Sequence, residues 1–109
     1  MAWLVRGTDV LASLEVADEL WSRTRGLLGR RGIEGALLIR PARSVHTLGM
    51  RFPLDVALCD ADLVVLKTTR LAPHRVSAPV RGARQVIEAE AGAFERWRLR
   101  PGDQLEVRL

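Results

Sequence analysis

The stretch LDVALCDADLVVLKTT, residues 54 to 69, restricts the fold more than any other part of the chain. Leu54, Val56 and Leu58 alternate with Asp55, Ala57 and Cys59, a period of two that belongs to a strand and not to a helix. Asp60-Ala61-Asp62 then supplies a turn, because short acidic side chains bond to nearby backbone. LVVLKTT resumes in residues that suit a pleated surface. A lone hairpin is marginal in water, so further strands must cover this one.

The rest of the chain offers them. WLVR (3–6) and VLASLEV (10–16) flank Gly7-Thr8-Asp9 and predict an opening hairpin. ALLIR (36–40) stops at Pro41, and SVHTLGM (44–50), QVIEAEA (85–91) and QLEVRL (104–109) read as further strands. Residues 70–83 read as a long irregular connection. One segment departs from this pattern. Behind Asp18 as N-cap, Leu20, Trp21, Thr24, Leu27 and Leu28 recur at helical spacing, and Gly29 closes the run. AGAFERW has room for only a turn or two of helix. About seven short strands with one short helix over about 18–29 make a mainly β fold, a compact sandwich, jelly roll or partly open barrel.

At 109 residues the chain is one domain, residues 1–109. Chains of this length bury roughly 65% of their extended surface, enough to fold without a metal or a disulfide. Cys59 stands alone and cannot bridge internally. Charges recur every few positions from the N-terminus onward, which fits neither a signal peptide nor a membrane span, and the expected location is cytoplasmic. The net charge is +4, and every basic residue except Lys67 is arginine. These arginines are spread along the chain rather than blocked, as a coding sequence rich in G and C would produce. Single-strand nucleic-acid binders need aromatic platforms in a basic groove. Trp3, Trp21 and Trp97 instead sit in apolar patterns that look like core, so a nucleic-acid partner is the lesser expectation.

Phosphate-loop, dinucleotide, CxxC, HExxH and GxSxG signatures are all absent from the sequence. His46, His74 and Cys59 follow no zinc spacing, so no metal or cofactor is expected. Cys59 shares a strand face with Asp55 and neighbours Asp60; nearby negative charge raises a thiol pKa, which makes it a packed, inert cysteine. Asp55 carries more weight. A carboxylate within an expected half-buried strand needs a partner, and Arg51, His46 or an arginine of the helix region could supply it. That pairing would either pin the strand to the preceding bend or present a carboxylate in a groove with His46 and Thr47. Leu48, Met50 and Phe52 fall on one face and read as core. In ERWRLR (95–100), Trp97 and Leu99 interleave with Arg96, Arg98 and Arg100; as a strand it would show three guanidiniums on one face.

Four motifs, RTRGLLGR (23–30), VHTLGMRFPLDV (45–56), VIEAEAG (86–92) and PGD (101–103), resemble domain-of-unknown-function family 192, small bacterial and archaeal proteins. The resemblance runs over roughly residues 12 to 107. It implies a compact mainly β domain of sandwich or jelly-roll character, with one helix carrying RGLLGR, and it implies no reaction. Arg25, Gly26, His46, Thr47, Gly49, Met50, Pro53 and Asp55 occupy the family's motif positions. Leu63 and Arg98 depart from it, standing where the family often has glycine; the first departure suggests a different hairpin geometry.

The resulting expectation is a small non-enzymatic binding domain for a small anionic or polyhydroxyl ligand. Its site would lie where the 46–51 bend meets the end of the helix, lined by Arg25, His46, Thr47, Met50, Arg51 and Asp55. Two alternatives stay open: an enzyme using Asp55 and His46 as an acid–base pair, or an arginine-mediated adaptor for nucleic acid or protein.

Overall fold

In a computed structural model the chain is described over residues 2–17 and 35–109. The helix expected over 18–29, with Trp21, Arg25 and Gly26, lies outside those residues. The opening hairpin joins β1 (Ala2–Arg6) to β2 (Asp9–Ala17) through Gly7, whose φ of 61° is a conformation glycine adopts without strain. There follow β3 (Ala36–Ile39), β4 (Leu54–Cys59), β5 (Val65–Leu71) and β6 (Gln85–Glu90). A five-residue helix, α1 (Ala93–Trp97), and a final strand, β7 (Glu106–Arg108), complete the chain.

The seven strands form one open mixed sheet in the order β5-β4-β6-β3-β2-β1-β7. Among the described strands only β2 and β3 run parallel; every other pair is antiparallel. A parallel pair demands a crossover, and the connection falls mostly on residues outside the described set. The sheet curls until its two ends touch at one corner. Val65 N–H donates to the Asp103 carbonyl at 2.9 Å, Gly102 N–H to the Val65 carbonyl at 2.7 Å, and Leu105 N–H to the Leu63 carbonyl at 3.0 Å. The fold is thus mainly β, between an open sheet and a closed barrel.

Both faces of the sheet are covered. Leu4, Leu14, Leu38, Ala57, Cys59 and Ile87 pack with Phe94, Leu99 and Leu105 on one side. On the other, Leu37, Ile39, Leu54, Val56 and Leu58 pack against Val45, Met50 and Phe52 from the bend. The central strand β4 is accordingly buried at all six positions, not at alternate ones. No helix among the described residues is long and apolar enough to cross a membrane.

Four local expectations are corrected. Residues 44–50 form no strand, only an isolated bridge between His46 and Val76, because Gly49 at φ 79° turns the chain. Leu48 is half exposed, whereas Met50 and Phe52 are buried. Trp3 is 39% exposed and Trp97 half-buried, so neither is a core residue proper; Trp97 packs its ring on Phe94 at 5.5 Å. ERWRLR is not a strand, since its first half belongs to α1 and Arg98 ends the helix in the left-handed region.

The turn at Asp60 shows how the hairpin closes. Asp60 Oδ1 accepts the N–H groups of Asp62 and Val64, each at 2.9 Å, which fixes the loop before β5 begins. Leu63 takes φ 62°, the conformation a glycine would have given. The departure at Leu63 therefore leaves a glycine-type backbone in place; burial of the leucine side chain in the core offsets the strain.

Candidate functional site

The polar residues of the 44–51 bend are built into the fold by Thr47. Its side chain is completely buried. The hydroxyl donates to the Ala72 carbonyl at 2.6 Å and accepts from Arg75 N–H at 2.9 Å. Its backbone N–H reaches the Arg75 carbonyl, and its own carbonyl accepts from Met50 and His74. One threonine thus knits the bend to the 72–77 connection, because a buried polar group must find partners and this one finds several. Both histidines serve the same region. Leu48 N–H donates to His46 Nδ1 at 3.3 Å and Gly49 N–H to His74 Nδ1 at 3.2 Å, an arrangement that requires each Nδ1 to be unprotonated.

Asp55 has a different task. It lies at the start of β4, its side chain about 5% exposed, on the face that looks toward α1. Oδ2 accepts the N–H of Gly92 at 2.9 Å and of Phe94 at 3.1 Å, so this carboxylate caps the first turn of α1 from a neighbouring strand. The cap residue Gly92 has no side chain to do so itself. Oδ1 takes Arg70 Nε at 2.9 Å across the β4–β5 ladder, where Asp55 and Arg70 face each other directly. The hydrogen bond to Asp55, reinforced by its charge, holds the Arg70 guanidinium above its ordinary pKa. Both carboxylate oxygens are engaged by these three donors, and His46 is not among them.

Above this anchor lies a groove of about 560 Å³ between β5 and α1. Phe94 and Leu99 form its floor, Thr68, Thr69 and Arg70 one wall, and Glu95, Arg98 and Arg100 the other. Arg98 and Arg100 are exposed, and neither guanidinium has a hydrogen bond or ion pair among the described residues. The other nearby cations are neutralised: Arg70 by Asp55, Arg96 by Glu90 at 2.7 Å, and Arg6 by Asp103 at 3.0 Å. What remains is a rim of two guanidiniums beside the exposed Glu95 carboxylate, net cationic over an apolar floor, which can bind an anion bearing a carbon skeleton.

The expected site residues are distributed rather than gathered. His46, Thr47 and Arg51 belong to the bend, with Arg51 exposed; Met50 is buried beneath it. Met50 packs with Leu54 and Val56 on one face of β4 while Asp55 projects from the other, so the sheet separates them. Arg25 lies outside the described residues. The sequence reading missed Arg70, Phe94, Leu99 and Arg100 as partners of Asp55 or lining of the groove. It also missed Glu88, which is completely buried in β6 between Leu37 and Val56 on the Met50 side. Among the described residues no three His, Cys, Asp or Glu side chains converge as a metal site would need. Cys59 is buried, its Sγ directed at the Ala57 carbonyl, and burial with help from Asp60 pushes its thiol up to about 12.

Fold and groove together define a class: a small mainly β domain on one curled sheet, with an arginine-rimmed groove beside its short helix. The sequence matches the profile of DUF192, described as "Uncharacterized ACR", over residues 3–107, and the chain belongs to that family. A UPF0127 protein of Pyrococcus furiosus is 29% identical over 108 residues, covering 94% of this chain and 93% of its own. A UPF0127 protein of Pyrococcus abyssi is 28% identical over 98 residues, covering 85% and 84%. Two crystal structures share the fold. One, a protein of unknown function from Novosphingobium aromaticivorans, superposes with a TM-score of 0.79 at 20% identity, covering 96% of this chain and 82% of its own. The other, a Sinorhizobium meliloti protein described as a candidate transcription regulator, gives 0.78 at 24% identity, covering 97% and 91%. None of these relatives carries an established function.

Proposed function

We propose that this protein is a non-enzymatic binding domain that takes a small anionic ligand in the groove between β5 and α1. The observation that supports the reading is the pair of exposed guanidiniums, Arg98 and Arg100, unpartnered among the described residues and standing over the apolar floor of Phe94 and Leu99. Arginine is suited to phosphate and carboxylate because its planar fork donates two parallel hydrogen bonds. On the groove face the Thr68 hydroxyl could donate to or accept from ligand hydroxyls and the Glu95 carboxylate could accept from them, so phosphorylated polyhydroxyl compounds fit best. The bend around His46 and Thr47 acts in this reading as the scaffold that covers the opposite face. Asp55 positions the groove without touching the ligand, since its lone pairs already serve Arg70 and the start of α1. A cytoplasmic location is part of the proposal, in keeping with a single reduced, buried thiol.

The test is a thermal-shift and calorimetric screen of phosphorylated metabolites, carboxylates, sugars and nucleotides. At least one phosphorylated compound should raise Tm, with the effect lost in Arg100→Ala. A silent screen, or an affinity that survives both Arg98→Ala and Arg100→Ala, would refute the reading.

A further inference from the structure

Among the described residues, three other than glycine have positive φ: Leu63 at 62°, His74 at 63° and Arg98 at 54°. In this region an L-residue's Cβ crowds its own carbonyl, so the conformation persists only where something offsets the strain. For Leu63 the offset is burial in the core. For His74 it is the imidazole, which accepts the Gly49 N–H, while the backbone N–H of His74 reaches Thr47. Arg98 differs from both. Its N–H donates to the Glu95 carbonyl and its carbonyl accepts from Arg6, contacts that glycine would make equally well. Its side chain is exposed and bonds to nothing among the described residues. The described fold therefore gains nothing from an arginine here that a glycine would not supply with less strain.

The position of that side chain supplies a reason. Arg98 and Arg100 line the groove above Asp55, and they also line a second opening of about 530 Å³ bounded by Arg6, Pro101, Gly102 and Asp103. They are the two residues common to both, a cationic ridge with a depression on either side. The second depression is not acidic in effect, because Asp103 Oδ2 is held by Arg6 Nη1 and by Arg100 N–H, each at 3.0 Å. A single phosphate would occupy one side of such a ridge. Two linked phosphoryl groups would straddle it and engage donors of both guanidiniums at once.

We infer that the ligand belongs to the diphosphate class, with one phosphoryl group on each side of the Arg98–Arg100 ridge, and that Arg98 is the residue that determines this preference. The inference rests on the anion-binding reading above. It is tested by titrating inorganic pyrophosphate and orthophosphate, at one ionic strength, into the wild type, Arg98→Gly and Arg98→Lys, with Tm measured for each. The wild type should bind pyrophosphate about tenfold or more tightly than orthophosphate, a difference of one good charge-assisted contact. Arg98→Gly should raise Tm by a few degrees, because glycine relaxes the left-handed residue, and should abolish the preference. Arg98→Lys should leave Tm near that of the wild type and keep part of the preference, because charge survives but the fork does not. Orthophosphate binding as well as pyrophosphate would overturn the diphosphate assignment and leave the anion site standing. Binding of neither would overturn both. A lower Tm in Arg98→Gly would mean that Arg98 holds the fold, and would overturn the strain argument.

Discussion

Replacing Asp55 by alanine removes the acceptor of two backbone donors, Gly92 N–H at 2.9 Å and Phe94 N–H at 3.1 Å. Each orphaned donor costs about 1–3 kcal/mol, and partial relaxation of the short helix toward water places the sum near 3 kcal/mol. For a domain of this size that lowers Tm by roughly 12–20 °C. The Arg70 bond contributes far less, because Arg70 is more than half exposed and can return to solvent. The order of loss should therefore be Asp55→Ala, then Asp55→Asn, then Arg70→Ala. The Asp55→Asn variant would keep one carbonyl oxygen for an amide but lose the charge, for a loss of about 1–2 kcal/mol. Urea unfolding at an unchanged m-value measures the series directly. If Arg70→Ala costs as much as Asp55→Ala, the ion pair is the anchor, and the capping of α1 by Asp55 is refuted.

Two further outcomes follow from buried groups. Thr47→Val, which keeps shape but removes the hydroxyl, should lose about 2 kcal/mol because the Ala72 carbonyl and Arg75 N–H go unpaired, whereas Thr47→Ser should stay close to the wild type in the same urea assay. Cys59 should react with a thiol reagent at pH 8 only as fast as the protein unfolds, since it is completely buried, and burial with help from Asp60 also raises its thiol from 9.0 to about 12. The sign is set by proton binding: between about pH 9 and pH 12 the unfolded chain releases a proton that the folded chain retains, so Cys59's contribution to stability is complete below pH 9 and is lost across that window.

The strands were legible because their information is local. Alternation through Leu54–Cys59, the Asp60 turn and the Gly7 hairpin each depend on residues within a few positions. The 44–50 segment reads as a strand by the same test, yet its bonds go to residues 72–77, a partner no local pattern reveals. Asp55 was legible as a buried carboxylate in need of a partner, but not the partner's identity. Counting outward from the centre of the Asp60–Asp62 turn would set Lys67 opposite Asp55. The loop runs on to Val64 and the ladder slips between Leu58 and Cys59, which brings Arg70 there instead. The groove was hidden for a related reason. Its walls come from β5 and from the chain around α1, and only the β4–β6 pairing and the Asp55 cap bring those segments side by side. Arg98 was visible as a departure from the family pattern; its strained backbone was not.

The most direct test of the account is an amide NMR titration with inorganic pyrophosphate, because it reports where an anion sits without presuming the physiological ligand. Shifts concentrated at Thr68–Arg70 and Arg98–Gly102, saturating together and absent in Arg100→Ala, are the predicted result. Shifts centred on His46–Arg51, or spread evenly over all exposed arginines, would contradict it.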